Sequence, residues 1–535
     1  MLPEPEYGNI EYKLRLNPER IESLVSQLKY RLKEGGGIAI YYIGVDDKGT
    51  PKGISEYHLR VSLKVLEEIA KHADAVIVSK RPIEIQGKRI WEVIIREKAL
   101  LPQEEVTIVA VGNVDAGKTT LIASLVTGEE DDGSGKLLPY VSRFPHEVKL
   151  GRTSSVARVL LGFSGDGNVV NYILPPDDEA EIARHSSKAI RFIDVGGHER
   201  YLRTAARGFM SSLADYAMYV ISYTQAIALE RYPMAREHLG LIIVFNLPFF
   251  IVFTKKDILQ SESMADEAVE KLSSIIRKFK YIPVRVRDAK EPIESLAKLT
   301  IRRFVPMFEV SNVTREGHDL LLKYLNSLPK RNALECEVSK SFLMYVDEIW
   351  TPKGQGLVVG GIILRGRIRK GEEVLIGPLD DGTWRLVRAR SLRVHDVDVI
   401  GAHAGQYVTI ALDGIEKKEV RKGMTLTSKE SKPLNVREFL AKIWVLHHPT
   451  TIRRGYQTVA HIYAIRWPVV FKEISSDKGR SILRTGDIGT VKLKFHPKVI
   501  KRTMSLERPW YVEAGMRILL RDGRCRAVGV IQSVM

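Results

Sequence analysis

The spacing of hydrophobic and polar positions changes along this chain, and the first pattern predicts a small mixed domain. Helical periodicity appears in ERIESLVSQLKYRLKEGGG and in YHLRVSLKVLEEIAKHA, and the apolar run IAIYYIGV lies between them. The stretch IEIQGKRIWEVIIR alternates on both sides of Gln86-Gly87, which is typical of a β-hairpin. These patterns predict an N-terminal α+β domain over residues 1–103.

The next segment has short, almost wholly apolar runs separated by helical stretches. The runs are VTIVAVG, AIRFIDVG, YAMYVISY and PFFIVFT. Strands that are apolar on both faces are typical of a parallel sheet covered by helices, so we expect an α/β domain over residues 104–330.

After Pro329 the chain consists of short alternating strands broken by glycine, as in GLVVGGIILRGRIRKGEEVLIG and GTVKLKFH. Such patterns favour antiparallel barrels. We therefore predict two C-terminal β-barrels, over residues 331–432 and 433–535, and a multidomain fold overall.

Composition indicates the compartment. Cys336 and Cys525 are the only cysteines, which excludes a disulfide scaffold or a cysteine-built zinc knuckle and fits a reducing environment. The first residues are polar and acidic, unlike a secretory signal, and the longest apolar run, Leu239–Phe253, has 15 residues and is too short to span a bilayer. We expect a cytoplasmic protein that does not associate with membranes, and a monomer, since no feature indicates oligomerisation.

The formal net charge of +17 is concentrated near the C-terminus. Residues 436–535 contain 19 Lys and Arg against 7 Asp and Glu, so 19 − 7 = +12 lies there. A basic domain of this kind favours a polyanionic partner, such as nucleic acid or a ribosome, over a surface that is charged only for solubility.

The stretch TIVAVGNVDAGKTTLIASLV has the order strand, glycine loop, helix. Gly112, Gly117, Lys118 and Thr119 match G-x-x-x-x-G-K-[ST], in which backbone N–H groups wrap the phosphates, the lysine neutralises their oxygens and the Thr119 hydroxyl binds Mg²⁺. The predicted nucleotide-binding residues of this loop are Asn113, Val114, Asp115, Ala116, Gly117, Lys118, Thr119 and Thr120.

A guanine site needs a carboxylate that accepts two hydrogen bonds from the base, and FTKKDI offers Asp257 for this, with the Lys255 stem along the ring. A solvated charged turn would look the same in isolation. Thr254 stands where such sites usually have asparagine, and its shorter hydroxyl predicts looser nucleotide binding. A second loop, Ser311-Asn312-Val313, ends a predicted strand and could read the guanine O6 through a backbone N–H.

RFIDVGGHER is typical of a γ-phosphate sensor. Asp194 is predicted to hold the Mg²⁺ shell through water, and the Gly197 N–H to contact the γ-phosphate. His198 would orient the attacking water, although an isolated histidine is more often structural. Upstream, GRTSSV must supply a second switch; Thr153 is the preferred Mg²⁺ ligand, with Ser154 and Ser155 as competitors.

With GNVDAGKTT, GRTSSV, DVGGHERYL and TKKD in this order, followed by two barrels, the chain resembles the translational GTPases, of which elongation factors Tu and 1 alpha are the model members. It departs from their pattern at Asn113, Ala116, Gly196 and Thr254. The segments EYGNIEYKL, HEVKLGRTSSV, REHLGL, FEVSNVT, VLHHPTTI and LRTGD are similar to the group of GTP-binding proteins 1 and 2 and extend from Glu6 to Asp487.

This resemblance implies a GTPase that uses GTP, GDP and Mg²⁺, with a monovalent cation held near Asp115. It implies GTP-dependent binding of aminoacyl-tRNA, delivery to the ribosome where His198 becomes effective, and links to ribosome rescue and mRNA surveillance. Arg152 replaces the apolar gate residue of elongation factor Tu, which puts a hydrophobic gate in doubt.

Basic side chains on the second barrel are predicted to meet tRNA phosphates, although each fits a solvated surface charge equally well. They are Arg453, Arg454, Lys492, Lys494, Lys498, Lys501 and Arg502.

Three alternatives stay open: a GTP-regulated RNA-decay adaptor that binds the exosome, a specialised initiation or selenocysteine factor, and a metabolic GTPase such as that of sulfate activation. The lack of paired cysteines argues against an initiation factor of the zinc-knuckle type, and GRTSSV and VLHHPTTI argue against the metabolic enzyme.

Overall fold

The computed structural model describes residues 3–98, 100–102, 104–142, 157–195, 214–288, 292–331, 339–501, 504–523 and 525–535. No helix in these ranges is long and apolar enough to cross a membrane.

The N-terminal unit is the predicted α+β module. Its described strands order as β1-β2-β4-β3, with β1 parallel to β2 and the other pairs antiparallel. Gln86 and Gly87 both adopt positive φ, as a two-residue hairpin turn requires, so the predicted hairpin is confirmed. The elements are β1 Ile10–Lys13, α1 Ile21–Glu34, β2 Ile38–Ile43, α2 Glu56–His72, β3 Ala75–Ile85 and β4 Lys88–Glu97.

The central unit is a sheet with helices on both sides, and its described strands order as β10-β11-β9-β8-β5-β7-β6. Its elements are β5 Glu104–Val111, α3 Lys118–Thr127, β6 Ala157–Phe163, α4 Glu179–His185, β7 Lys188–Asp194, β8 Tyr216–Ser222, α5 Tyr223–Ile227, α6 Pro233–Val244, β9 Phe249–Thr254, α7 Glu262–Arg277, β10 Ile282–Arg285, α8 Ile293–Leu299, β11 Phe304–Glu309 and α9 His318–Ser327.

The predicted parallel sheet has one antiparallel strand at its edge, which the sequence patterns did not indicate. β6 pairs antiparallel with β7, from Ala157 opposite Asp194 to Phe163 opposite Lys188. The connection between them turns back through the bend at Ser164–Asn168 and the short helix α4, so it returns the chain beside the strand it left. The other described pairings of this sheet are parallel.

The two barrels follow. In the first, the described strands run β12-β21-β16-β17-β20-β14, and a β12–β14 pairing closes the ring. Its strands are β12 Leu343–Tyr345, β13 Glu348–Trp350, β14 Leu357–Arg365, β15 Arg367–Arg369, β16 Glu373–Gly377, β17 Arg385–Val394, β18 Val397–Val399, β19 Gly401–His403, β20 Tyr407–Asp413 and β21 Thr425–Ser428.

The second barrel closes as β22-β25-β24-β23-β28-β29, with a separate β26–β27 pair. Its strands are β22 Glu438–His447, β23 Gln457–Ile462, β24 Ile465–Ser476, β25 Ile488–Phe495, β26 Lys498–Lys501, β27 Met504–Leu506, β28 Arg517–Arg521 and β29 Arg526–Val534.

Neighbouring units are joined by polar side chains at their contacts. The Arg96 guanidinium of the N-terminal unit donates to the carbonyls of Ala183 and Arg184, at 3.0 and 2.7 Å, at the end of α4. Between the barrels, Arg365 contacts Glu513 at 2.6 Å. The Arg96 guanidinium is buried and the Arg365–Glu513 pair is partly buried, so both contacts depend on how the units pack.

The first barrel contacts the central unit through a buried ionic cluster around His395, at the β17–β18 turn. The His395 ring contacts Glu105 at 2.9 Å and Glu179 at 2.5 Å, and Arg191 contacts Glu105 at 2.9 Å. Burial alone would lower the pKa of His395 and Arg191 opposes its protonation, but the two carboxylates prevail and raise this pKa above its usual value. The Glu105 carboxyl is also buried, yet Arg191 and His395 lower its pKa to about 2.

The raised pKa of His395 makes the stability of this contact depend on pH. Its contribution is complete below the unfolded-state pKa of about 6.5 and is lost as pH rises through the higher folded-state value. We expect the urea midpoint of the wild-type protein to fall as the solution becomes alkaline, and this component to be absent in His395→Gln. Parallel midpoint curves for the two proteins between mildly acidic and alkaline pH would contradict this assignment.

Candidate nucleotide-binding site

The phosphate loop connects β5 to α3, and its backbone path depends on two glycines. A Cβ on Gly112 would lie 2.0 Å from the Val220 carbonyl oxygen of the neighbouring strand β8, so no larger residue fits there. Gly117 has φ of 77° and caps the N-terminus of α3. The loop therefore leads directly into the start of a helix, where partial positive charge favours a phosphate.

Lys118 is buried beneath this loop. Its ammonium group donates to the carbonyls of Gly112, at 3.2 Å, and Asn113, at 2.8 Å. Burial lowers the pKa of Lys118, and the nearby carboxylates of Asp194 and Asp115 partly offset that shift. A buried cation held by two neutral carbonyls is poised to exchange them for phosphate oxygens.

The predicted Mg²⁺ ligands Thr119 and Asp194 lie together. The Thr119 hydroxyl donates to an Asp194 carboxylate oxygen at 2.6 Å, and Asp194 is fully buried at the end of β7. A hydroxyl and a carboxylate are hard oxygen donors beside the phosphate loop, which is the chemistry Mg²⁺ prefers, so these residues fit the ion.

A side-chain hydrogen bond connects the two loops that are predicted to read the base. The Ser311 hydroxyl donates to the Asp257 carboxylate at 2.6 Å and accepts from the backbone N–H of Val313 at 3.2 Å. Asp257 is exposed, and Lys255 precedes it with φ of 63°. One carboxylate oxygen of Asp257 is thus oriented by Ser311, and the loop holds the group at the mouth of the site.

Thr254 lies behind these loops, fully buried at the end of β9. Its hydroxyl donates to the Ala116 carbonyl at 2.8 Å, so threonine does reach the phosphate loop despite its short side chain. This contact connects the end of β9, which precedes the predicted base-reading loop, directly to the predicted phosphate loop.

We expect Thr254→Val, which keeps the shape and removes the hydroxyl, to lower the free energy of unfolding by about 1–2 kcal/mol. The Ala116 carbonyl would lose its donor, and the phosphate loop would be held less firmly. Urea unfolding and fluorescent-GDP titration together measure this. Unchanged values in both would show that the hydroxyl has no role. The matched control is Thr300→Val, which removes a buried hydroxyl bonded to the Leu296 carbonyl and the Tyr324 hydroxyl in the same unit; it should lower stability and leave GDP affinity unchanged.

These elements surround a cavity of about 460 Å³, within the range of ligand sites. The sequence-predicted residues on its wall are Val114, Asp115, Gly117, Lys118, Thr119, Thr120, Lys255, Asp257, Asn312 and Val313. Asn113, Ala116, Thr254 and Ser311 are not on this wall; Ala116, Thr254 and Ser311 make the supporting contacts described above.

Sequence reasoning missed part of the wall. Asp131, Gly133, Ser134 and Gly135 also line the cavity, and the Asp131 N–H donates to the Asn312 carbonyl at 2.8 Å. The run DDGSG after α3 was a turn signal that could have indicated a loop returning to the site.

A second missed contact supports the loop from below. The Gln225 amide on α5 donates to the Val114 carbonyl at 2.8 Å.

On α6, burial lowers the pKa of His238 to about 3, so this ring is neutral. Its neighbour Glu237 contacts Arg521 at 3.3 Å and Arg526 at 3.2 Å, both on the second barrel.

The remaining predicted residues lie outside the described part of the chain. They are Arg152, Thr153, Ser154, Ser155, Gly196, Gly197 and His198. On β6, which follows this gap, Arg158 lies five positions after Thr153. Its guanidinium contacts Asp347 at 2.7 Å and Glu348 at 3.1 Å on the first barrel.

The basic residues proposed for tRNA phosphates differ in their surroundings. Lys492 contacts Glu438 at 3.3 Å, and Lys494 contacts Glu507 at 2.7 Å, so carboxylates already balance both charges. Arg453 and Arg454 are exposed beside the Ile452–Leu483 bridge. The side chains of Lys498, Lys501 and Arg502 are not among those the structure describes.

Family models match the two units that build and flank this site. A model of the elongation factor Tu GTP binding domain matches residues 103–330, and a model of elongation factor Tu domain 2 matches residues 356–427.

Similar proteins extend the match to almost the whole chain. GTP-binding protein 2 of Mus musculus is 36% identical, covering 99% of this chain and 88% of that protein. GTP-binding protein 1 of Xenopus laevis is 34% identical, covering 97% and 77%. Elongation factor 1-alpha of Pyrobaculum aerophilum is 26% identical, covering 81% and 96%.

Solved structures share the fold. A bacterial selenocysteine-specific elongation factor aligns with a TM-score of 0.54 at 22% identity, covering 80% of this chain and 58% of that one. Translation elongation factor SelB from Methanococcus maripaludis, bound to a GTP analogue, aligns with a TM-score of 0.51 at 18% identity, covering 82% and 80%.

Proposed function

Because this chain belongs to the family of elongation factor Tu-type GTPases, in the group of GTP-binding proteins 1 and 2, we propose that it binds aminoacyl-tRNA with GTP and delivers it to the ribosome. The chain is a GTPase that hydrolyses GTP to GDP and phosphate. We also propose that the protein is a cytoplasmic monomer and that it delivers aminoacyl-tRNA during ribosome rescue.

The observation that supports the proposal is a set of ion pairs that join the central unit, on two sides, to the two barrels. Arg158, five residues after the proposed switch residue Thr153, contacts Asp347 and Glu348 of the first barrel. On the other side, Glu237 of α6 contacts two arginines of the second barrel. A shift of the switches on loss of the γ-phosphate would therefore alter how the central unit meets both barrels.

Within the site, each residue has a proposed task. The loop from Asn113 to Thr120 wraps the phosphates, Lys118 neutralises their oxygens, and Asp257 accepts from the guanine edge while Lys255 covers the ring. Mg²⁺, when held by Thr119, Thr153 and Asp194, neutralises phosphate charge. Asp115 is proposed to hold a monovalent cation against the same phosphates.

His198 is proposed to orient the water that attacks the γ-phosphate, and Gly197 to sense that phosphate through its N–H. We expect His198→Ala to keep its affinity for GTP and for aminoacyl-tRNA while ribosome-stimulated hydrolysis falls about tenfold or more. Single-turnover phosphate release with and without ribosomes measures this. If ribosomes stimulated hydrolysis in the variant as strongly as in the wild type, His198 would not have the proposed role.

Delivery is tested by binding. Aminoacyl-tRNA and deacylated tRNA are titrated against the full chain with a GTP analogue and with GDP, at a low and a moderate salt concentration. Of these combinations, we expect tight binding only for aminoacyl-tRNA in the presence of the GTP analogue.

Equal and strongly salt-dependent binding in all combinations would overturn delivery, because it would reveal only a basic surface. In that case nucleotide-dependent affinity for the RNA exosome, with none for aminoacyl-tRNA, would identify a GTP-regulated RNA-decay adaptor instead.

A further inference from the structure

The carboxamide of Asn312, on the wall of the nucleotide cavity, makes no hydrogen bond to the described part of the protein. The residue is 8% exposed, and its Oδ1 atom is buried without a partner among the described residues. Buried polar side chains are normally paired, because a donor or acceptor without a partner costs free energy. Since Oδ1 is enclosed by protein, the group that remains open to the cavity is the Nδ2 amide, and a ligand there can supply its partner.

The backbone around this side chain is held in place. The Asn312 carbonyl accepts from the Asp131 N–H at 2.8 Å. The Ser311 hydroxyl accepts from the backbone N–H groups of Val313 and Thr314, each at 3.2 Å. A side chain on a fixed backbone loses little conformational freedom when a ligand binds, so a hydrogen bond from it contributes more fully to affinity.

The neighbouring Thr254 has no donor left for the base. It occupies the position where guanine sites usually have asparagine, whose amide carries two N–H donors. A threonine hydroxyl has a single hydrogen, and that of Thr254 is directed at the backbone carbonyls of Ala116, at 2.8 Å, and Ile221, at 3.5 Å. Thr254 therefore supports the phosphate loop, and a donor to the base must come from another residue.

The Asn312 amide lies beside this threonine. A Cβ placed on Gly117 would be 3.6 Å from the Asn312 Nδ2 atom and 3.6 Å from the Thr254 hydroxyl oxygen. The two side chains thus approach the phosphate loop at the same point. An amide is available next to position 254, although a different loop supplies it.

We propose that the Asn312 amide donates a hydrogen bond to N7 of the bound guanine, in place of the asparagine that position 254 lacks. Guanine presents two acceptors, N7 and O6, on the side away from the exocyclic amine. That amine faces Asp257 in the function proposed above, and the inference rests on this placement of the base. The backbone N–H groups of the loop from Ser311 to Val313 remain available for O6.

This contact adds affinity and does not select the base. Adenine also has an acceptor at N7, so the choice of guanine stays with Asp257. The amide of Asn312 offsets the weaker nucleotide binding that threonine at position 254 would otherwise cause.

The test compares GTP with 7-deaza-GTP, in which a C–H group replaces N7 and the edge assigned to Asp257 is unchanged. Both compete with fluorescent GDP for the full chain, with Mg²⁺ present and without tRNA or ribosomes. We expect the wild type to bind GTP about three- to tenfold more tightly than 7-deaza-GTP, which corresponds to one net hydrogen bond. Asn312→Ala should abolish this difference, because it weakens GTP binding and leaves 7-deaza-GTP binding unchanged.

The matched control is Thr254→Val, which removes the other polar side chain beside Gly117. It should lower both affinities by the same factor and keep the difference between GTP and 7-deaza-GTP, since the Thr254 hydroxyl does not contact the base. Loss of the difference in Thr254→Val but not in Asn312→Ala would assign N7 to the threonine and overturn the proposal.

Equal affinities of the wild type for GTP and 7-deaza-GTP would also overturn it. So would a difference that persists in Asn312→Ala, where an equal fall in both affinities would mean that the side chain only shapes the loop. The placement of guanine is tested separately, because Asp257→Ala should weaken both nucleotides alike. If Asp257→Ala weakens neither, the base does not lie as proposed, whereas a failure of tRNA delivery leaves the outcome of this test unaffected.

Discussion

Replacing Lys118 with alanine is expected to weaken GTP binding by about 100- to 10,000-fold. The Lys118 ammonium group lies directly under the phosphate loop and donates to the carbonyls of Gly112 and Asn113. When a triphosphate binds, we expect it to make two charge-assisted hydrogen bonds to the β- and γ-oxygens instead, each contributing about 1.5–3 kcal/mol. Titration of a fluorescent GTP analogue with Mg²⁺ present measures the loss.

The fold should survive this change, which separates binding from stability. Burial lowers the pKa of Lys118, which means that its charge carries a desolvation cost in the folded protein, and removing the cation relieves that cost. Lys118→Met, which restores most of the volume, is the control for packing. An affinity within about threefold of the wild type in both variants would show that the lysine does not contact the nucleotide.

Features that depend on a few consecutive residues could be predicted from the sequence. The phosphate loop is one, because its glycines, lysine and threonine must follow one another between a strand and a helix for the backbone to wrap a phosphate. The hairpin at Gln86-Gly87 is another, since both residues must tolerate positive φ. The alternation of apolar positions likewise indicated the barrels, because period-two patterns place every second side chain inside.

Features that depend on residues far apart in the chain could not be predicted. The edge strand β6 is largely apolar, like the parallel strands of the sheet, so its antiparallel direction depends on the course of the connection to β7. The cluster of His395, Glu105 and Glu179 joins positions up to 290 residues apart. The pairing of surface charges is another such feature: Glu438 on β22 lies 3.3 Å from Lys492 on β25, a contact that depends on how the two strands pair.

Exchanging Asp257 for asparagine is expected to invert base preference. The exposed carboxylate can accept from both the N1–H and the exocyclic amine of guanine, and the Ser311 hydroxyl holds it in place at 2.6 Å. An asparagine amide would present a donor to that amine, so GTP affinity should fall about 1,000-fold or more. Xanthosine triphosphate has a carbonyl in place of the amine and should bind Asp257→Asn more tightly than GTP does.

Two comparisons make the outcome specific to the base edge. Asp257→Ala should lose affinity for GTP without gaining affinity for xanthosine triphosphate, because it removes the acceptor and adds no donor. Ser311→Ala should weaken both nucleotides by a smaller factor, since it frees the side chain at position 257 without changing which atoms face the base. Because Ser311 donates to one oxygen of Asp257, an asparagine would keep its oxygen on the Ser311 side, where it can still accept from the N1–H, and would present its amide N–H₂ to the exocyclic group of the base. If Asp257→Asn still preferred GTP over xanthosine triphosphate, the guanine edge would be read elsewhere in the cavity, and the loop from Ser311 to Val313 would be the first place to search.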